Sequence, residues 1–163
     1  MLRFGIRPPF SFKKFLQLCR TLISDSDINI LKTASISGEY PQQTVQPALK
    51  RWRDFDTALR DELVKIRAAR RGVEPLKYLR RTEHEDFSLS HLAVKAYRTP
   101  SVLEAEDMLD QRRWHFLDEL ARGHYFDLNF LIVYALKLLV LERWERIRQA
   151  DKSRLLEEAL EKI

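Results

Sequence analysis

Residues 124–147 read HYFDLNFLIVYALKLLVLERWERI, and nowhere else does the chain concentrate so much apolar surface. Asp127 precedes the apolar run, where its carboxylate can accept from the unpaired amides of a first helical turn. Leu128, Leu131, Ile132, Ala135, Leu138, Leu139 and Trp144 recur at helical spacing. Phe130, Val133, Tyr134, Val140 and Leu141 widen that stripe around nearly the whole circumference. A helix apolar on so many sides must be covered on as many, so the stretch predicts a central buried helix near 127–148. A membrane span is the rival reading. Leu128 to Leu141 is only about fourteen residues and carries Asn129 and Lys137, where a span needs about twenty apolar ones.

Working outward, 163 residues suit one domain, and 45% apolar with 33% charged residues describe a globular chain rather than a disordered or membrane one. Four glycines and six prolines among many Ala, Leu, Glu, Lys and Arg favour long helices over short strands. The expectation is an all-α helical bundle forming a single domain over 1–163, with sub-regions at 1–36 and 45–163. The lone cysteine, Cys19, excludes an intrachain disulfide and reads as a buried thiol. MLRFGIRPPFSF at the amino end holds no apolar run long enough for a signal peptide, which predicts a cytoplasmic protein.

Local signals place the remaining helices. Gly5–Pro9 reads as an extended lead-in, after which Ser11 is placed to cap a helix through about Leu22. Ser24 and Asp27 form a weak capping box for a second short helix with Ile28, Leu31 and Ile36 facing inward. SGEYPQQT, residues 37–44, is a connector. A long amphipathic helix follows near 45–71, with Ala48, Trp52, Phe55, Leu59, Leu63 and Ile66 on one face and Gly72 as its stop. Asp56 with Arg60, and Asp61 with Lys65, stand four apart as expected of exposed helix pairs. Pro75–Arg81 predicts a short helix, TEHEDFS a break, Ser90 the start of a helix to Arg98, and Ser101 the head of another to Arg122. The tight joint at Gly123–Phe126 predicts that this last helix and the central one form an antiparallel pair. A final amphipathic segment after Ala150 carries Leu156, Ala159, Leu160 and Ile163.

No constellation of residues announces chemistry. His84, His91, His115 and His124 lack metal-ligand spacing, and the consecutive His84, Glu85 and Asp86 are poorly placed to converge on one ion. Cys19 has no evident base, no nucleophile elbow occurs, and the glycines are scattered singly rather than gathered into a phosphate loop. The reading is of a non-enzyme without metal or cofactor. Arg112 and Arg113 interrupt an apolar stripe, which predicts either an internal ion pair, with Asp127 or Glu142 as acids, or a socket for another protein chain. Phe10, Phe12, Trp52, Trp114, Tyr125 and Phe126 read as core fillers or interface anchors, core being the commoner place for aromatics in a chain this small.

Charge is the uneven feature. Lys65, Arg67, Arg70, Arg71, Lys77, Arg80 and Arg81 face only Glu74 within 65–81, a local +6 in a chain of net +5, so the remainder carries −1. Complementation of a helix dipole accounts for part of this cluster. Contact with an acidic protein surface is the functional reading; nucleic-acid binding through the same segment is the alternative, with Tyr78 as the one nearby aromatic.

Two stretches, FGIRPPFSFKKFLQLCR at 4–20 and RRWHFLDELARGHYFDLNFLIVYALKLLVLERW at 112–144, resemble a helical family encoded beside the subunits of bacterial V/A-type ATP synthases. That family carries a further apolar segment before the position of Phe4. The resemblance implies a non-catalytic subunit or assembly factor of a proton- or sodium-transporting ATPase. It would be a counterpart of the helical stalk component that links the central rotor shaft to the membrane ring. Tyr134, Lys137, Glu142 and Arg143 are similar to a tyrosine, lysine, glutamate and arginine pattern in the last helix of that component. The implied partners are other ATPase subunits, with membrane contact only through the complex.

Overall fold

A computed structural model describes residues 2–40, 46–80 and 87–160, with side chains through 151. Among the described residues there are six α-helices and no strand: α1 (Phe12–Cys19), α2 (Asp25–Lys32), α3 (Pro47–Arg71), α4 (Phe87–Arg98), α5 (Val102–Leu120) and α6 (Leu128–Leu160). They divide into two compact units, one of residues 1–36 with 123–163, the other of 37–122. The all-α expectation therefore holds. Helices α5 and α6 fall in different units, so the antiparallel pair predicted at Gly123 is an element of neither.

In the first unit α1 and α2 pack against α6. Ser11 Oγ accepts from the Lys14 amide at 3.1 Å, and Ser24 Oγ from the Asp27 amide at 3.2 Å, as their sequence positions require. Helix α1 ends at Cys19, short of Leu22, because the Leu22 and Ile23 amides turn back onto the Cys19 carbonyl. Asp127 Oδ1 caps the head of α6 through the Phe130 amide at 2.9 Å. Ala135, Leu136, Lys137 and Leu138 are all buried, and four consecutive positions sweep about 300° around a helix, so no side of α6 is open there. The central helix runs past the expected end near 148, and the segment after Ala150 continues it. One helix of 33 residues, roughly 50 Å long, continues to Leu160, since no Gly or Pro interrupts it. The side chains of Leu156, Ala159 and Leu160, and all of Ile163, lie outside the described residues.

The lead-in before α1 is strapped along α6. Phe15 stacks on Tyr134 with ring centroids 5.3 Å apart, Phe10 lies 6.2 Å from the same ring, and Phe4 meets Trp144 edge-on at 6.4 Å. Glu142 Oε1 accepts from the Phe12 amide at 2.8 Å, so one helix supplies a cap to another. Arg7 pairs with Glu145 at 3.1 Å. Tyr134 and Glu142, two residues of the pattern behind the family resemblance, thus hold the amino-terminal segment. Lys137 is buried among the apolar residues of α6.

In the second unit α3, α4 and α5 bury Trp52, Leu59, Leu89, Ala93, Leu109 and Leu117. Phe55 and Phe116 stack nearly face to face at 4.0 Å and 4°, beside Trp52. Gln46 caps α3, its Oε1 accepting from the Leu49 amide at 2.9 Å, and Gly72 closes it in the left-handed conformation, φ +64°. Val45 and Pro41–Thr44 of the connector lie outside the described residues. Helix α4 begins at Phe87, a turn before the expected Ser90, whose hydroxyl donates instead to Glu62 Oε2 of α3 at 2.6 Å. Arg70 Nη1 donates to Tyr97 Oη at 3.0 Å. Those two bonds join residues 28 and 27 apart, which requires α3 and α4 to run parallel.

Candidate functional site

The parallel arrangement of α3 and α4 puts two carboxy-terminal helix poles side by side. Each pole carries partial negative charge from unpaired carbonyls, and each last turn is basic: Arg70 and Arg71 on α3, Lys95 and Arg98 on α4. Arg67, Arg70, Arg71, Lys95 and Arg98 are all exposed, with Tyr97 exposed among them. Lys95 and Arg98 belong to this surface although they lie outside the basic run of the sequence. Nothing local points to them; the signal is that α4 packs in parallel on α3, a tertiary fact.

The other predicted residues separate. Lys65 is half-buried and pairs with Glu62 at 2.6 Å, not with Asp61. After Gly72 the chain folds back along α3 through a single 3-10 turn at Pro75–Lys77, in place of the helix expected to reach Arg81. Lys77 is exposed on that return. Arg80 arrives at Asp61, whose carboxylate oxygens accept from the Arg80 amide at 3.1 and 3.3 Å, while Arg80 Nη1 donates to the Gly38 carbonyl at 2.5 Å. Arg80 thus pins the returning segment. Arg81 lies outside the described residues, as do His84, Glu85 and Asp86. Of the seven, only Arg67, Arg70 and Arg71 share one helix end open to a partner, with Lys77 on the neighbouring return.

Nearer the head of α3 lies a buried charge cluster, one member of which, Asp56 with Arg60, stood in the sequence as a helix-surface pair. Asp56 is wholly buried, and its carboxylate accepts from Arg113 Nε at 2.7 Å, Arg60 Nε at 2.6 Å and Tyr40 Oη at 2.6 Å. Arg113 Nη1 reaches Asp110 at 2.8 Å. The predicted acids for Arg113, Asp127 and Glu142, are helix caps of the other unit, and its true partner lies 57 residues back in the sequence. Arg112 instead places its guanidinium 5.0 Å over the Phe55 ring. Burial alone would push the Asp56 carboxyl up, but Arg113, Arg60 and the Tyr40 hydroxyl outweigh it and hold the group below the usual carboxylate range. Burial, then the Asp56 charge, push the Tyr40 hydroxyl up, so it stays a donor. No buried side-chain polar atom among the described residues lacks a hydrogen bond, so the members of the cluster satisfy one another.

The aromatic and metal expectations divide similarly. Trp52 and Trp114 are core, Phe10 and Phe12 are half-buried, but Tyr125 and Phe126 stand in solvent. Among the described residues no three His, Cys, Asp or Glu side chains are grouped to hold a metal, and no helix is long and apolar enough to cross a membrane. The Cys19 thiol is buried, and burial pushes its pKa up, away from reactivity.

No curated protein and no solved structure matches the chain. Residues 78–163, more than half of the 163 and spanning α4, α5 and α6, match a family model that begins after Lys65–Lys77 and includes Lys95 and Arg98. The chain thus belongs to the family described as Protein of unknown function (DUF2764).

Proposed function

We propose that this protein is a non-catalytic helical subunit or assembly factor of a bacterial V/A-type ATP synthase, working by contact with an acidic surface of a neighbouring protein in that complex. The observation that carries the contact is the paired basic end of α3 and α4, where Arg67, Arg70, Arg71, Lys95 and Arg98 exceed what two half-charges of helix dipole call for. The ATPase assignment is supported by the resemblance of segments 4–20 and 112–144. A linking role between central stalk and membrane ring follows from the same resemblance.

The test is co-purification with ATPase subunits from cells producing a tagged chain, followed by mass spectrometry. The double variant Arg70→Glu, Arg71→Glu removes the Arg70–Tyr97 bond and sets two acids in the last turn of α3, which should cost about 1–2 kcal/mol and leave the fold intact. It should nevertheless abolish recovery of the partner. Recovery of no ATPase subunit by the wild-type chain overturns the assignment, and unchanged recovery by the double variant overturns the surface. Nucleic-acid binding that falls steeply with salt would replace the reading by one in which the same arginines meet phosphates.

A further inference from the structure

The first unit carries an open apolar groove of about 650 Å³ between the end of α1 and the head of α6. Leu22, Tyr125 and Phe126 line it while being 80%, 71% and 104% exposed, so three large apolar side chains stand in water around one depression. Phe130 contributes to its wall. The two charged residues of the lining, Asp27 and Asp127, are both acidic. Each is anchored locally, Asp27 by the Ser24 hydroxyl at 2.8 Å and Asp127 by the Phe130 amide and His124 Nδ1. The Phe130 amide, then His124, hold the Asp127 carboxyl below the usual range, so it remains a negative charge at the rim.

The complementary surface is present in the other unit of the same chain. On the return after α3, Leu76 and Tyr78 are 66% and 59% exposed, with Val73 also in solvent. Arg70, Arg71 and Lys77 flank them in the sequence against the single acid Glu74. An apolar projection with net charge +2 therefore exists on one part of the molecule, and an apolar groove with charge −2 on another. The groove is of the size that accepts several side chains, about 300–1,000 Å³ for a typical pocket. We propose that the groove receives the Val73–Tyr78 projection of a second copy of this chain, Leu76 and Tyr78 entering among Leu22, Tyr125 and Phe126 while Arg70, Arg71 and Lys77 face Asp27 and Asp127. The contact is heterologous, one surface meeting a different one, and it closes into a dimer or extends into a longer assembly according to the rotation between copies.

This inference goes beyond the proposed function but shares Arg70 and Arg71 with it, and Phe126→Ser separates the two because it alters the groove and leaves the basic surface intact. Sedimentation equilibrium of the full chain from about 1 to 200 μM should show a mass that rises with concentration and falls as salt is added. Phe126→Ser and Leu76→Ser change exposed residues, so helicity should persist, and each should weaken association at least about tenfold. Mixing a Leu22→Cys chain with a Tyr78→Cys chain under mild oxidation should give a disulfide joining the two different variants. A monomer at all concentrations overturns the proposal. So does association that Phe126→Ser abolishes and Leu76→Ser leaves unchanged, which would mean groove meeting groove, and so does cross-linking confined to like variants.

Discussion

The two units keep polar groups inside in opposite ways. In the first, a helix apolar around most of its circumference is packed by short helices and an extended strap, Glu142 and the exposed Asp127 serve as caps, and Lys137 alone of its described charged residues is buried. In the second, Asp56, Arg113 and Asp110 lie buried among three helices and hold one another. Apolar contacts tolerate small shifts, whereas a buried ion pair is favourable in one geometry only and costly when one partner is lost. The first unit is thus built on area, the second on register. The basic helix ends of Arg70, Arg71, Lys95 and Arg98 are brought together by separate α3–α4 bonds, Ser90 to Glu62 and Arg70 to Tyr97.

The sharpest way to break that contrast is Asp56→Ala, which strands Arg113 inside the second unit. A loss of about 3–5 kcal/mol is expected in chemical denaturation, with hydrogen exchange rising first in α3 and α5. The same carboxylate sets an acid limit. Its folded pKa lies below the unfolded value of about 3.9, so as pH falls the unfolded chain takes up the proton first. The stability it contributes is complete above that value and is lost as pH drops through the lower folded one. Asp56→Asn should flatten this acid limb, and an unaltered acid transition would show that the cluster does not govern it.

Leu138→Ala tests the first unit by the same measurement. Removing a wholly buried leucine from α6 should cost about 3 kcal/mol through lost contacts and a cavity, without any change in the pH profile. A pH-dependent loss would erase the distinction between the units. Gly38→Ala is the smallest of the three. Gly38 holds φ +84°, and an added Cβ would stand 2.8 Å from Arg60 Cζ, so the arginine must leave Asp56 or the loop must shift. About 1–2 kcal/mol of strain is expected, read as a lowered melting temperature, and a neutral result would mean that Arg60 adds nothing to the cluster.

Helix existence and several ends were legible because their causes are local. Ser11, Ser24, Ser101, Asp127 and Gly72 stand within a few residues of the amides or carbonyls they satisfy. Ser90 misled because α4 already runs from Phe87, which leaves Ser90 inside the helix with its hydroxyl donating to Glu62, 28 residues away. The basic run was visible as composition, but its division was not. Arg80 is committed to Asp61 and Gly38, and Lys95 and Arg98 join the surface from another helix. Phe126 and Tyr125 looked like core because hydrophobicity alone does not say which apolar side chains are covered.

By itself the sequence determined an all-helical chain and a long apolar helix after Asp127, since periodicity, caps and the scarcity of Gly and Pro act over one or two turns. Only the tertiary structure decided that α3 and α4 run parallel, that Arg113 is neutralised by Asp56, and that an acidic apolar groove and a basic apolar projection both remain uncovered. Those outcomes depend on residues tens of positions apart meeting in space, where burial and charge pairing, rather than local propensity, choose the partner.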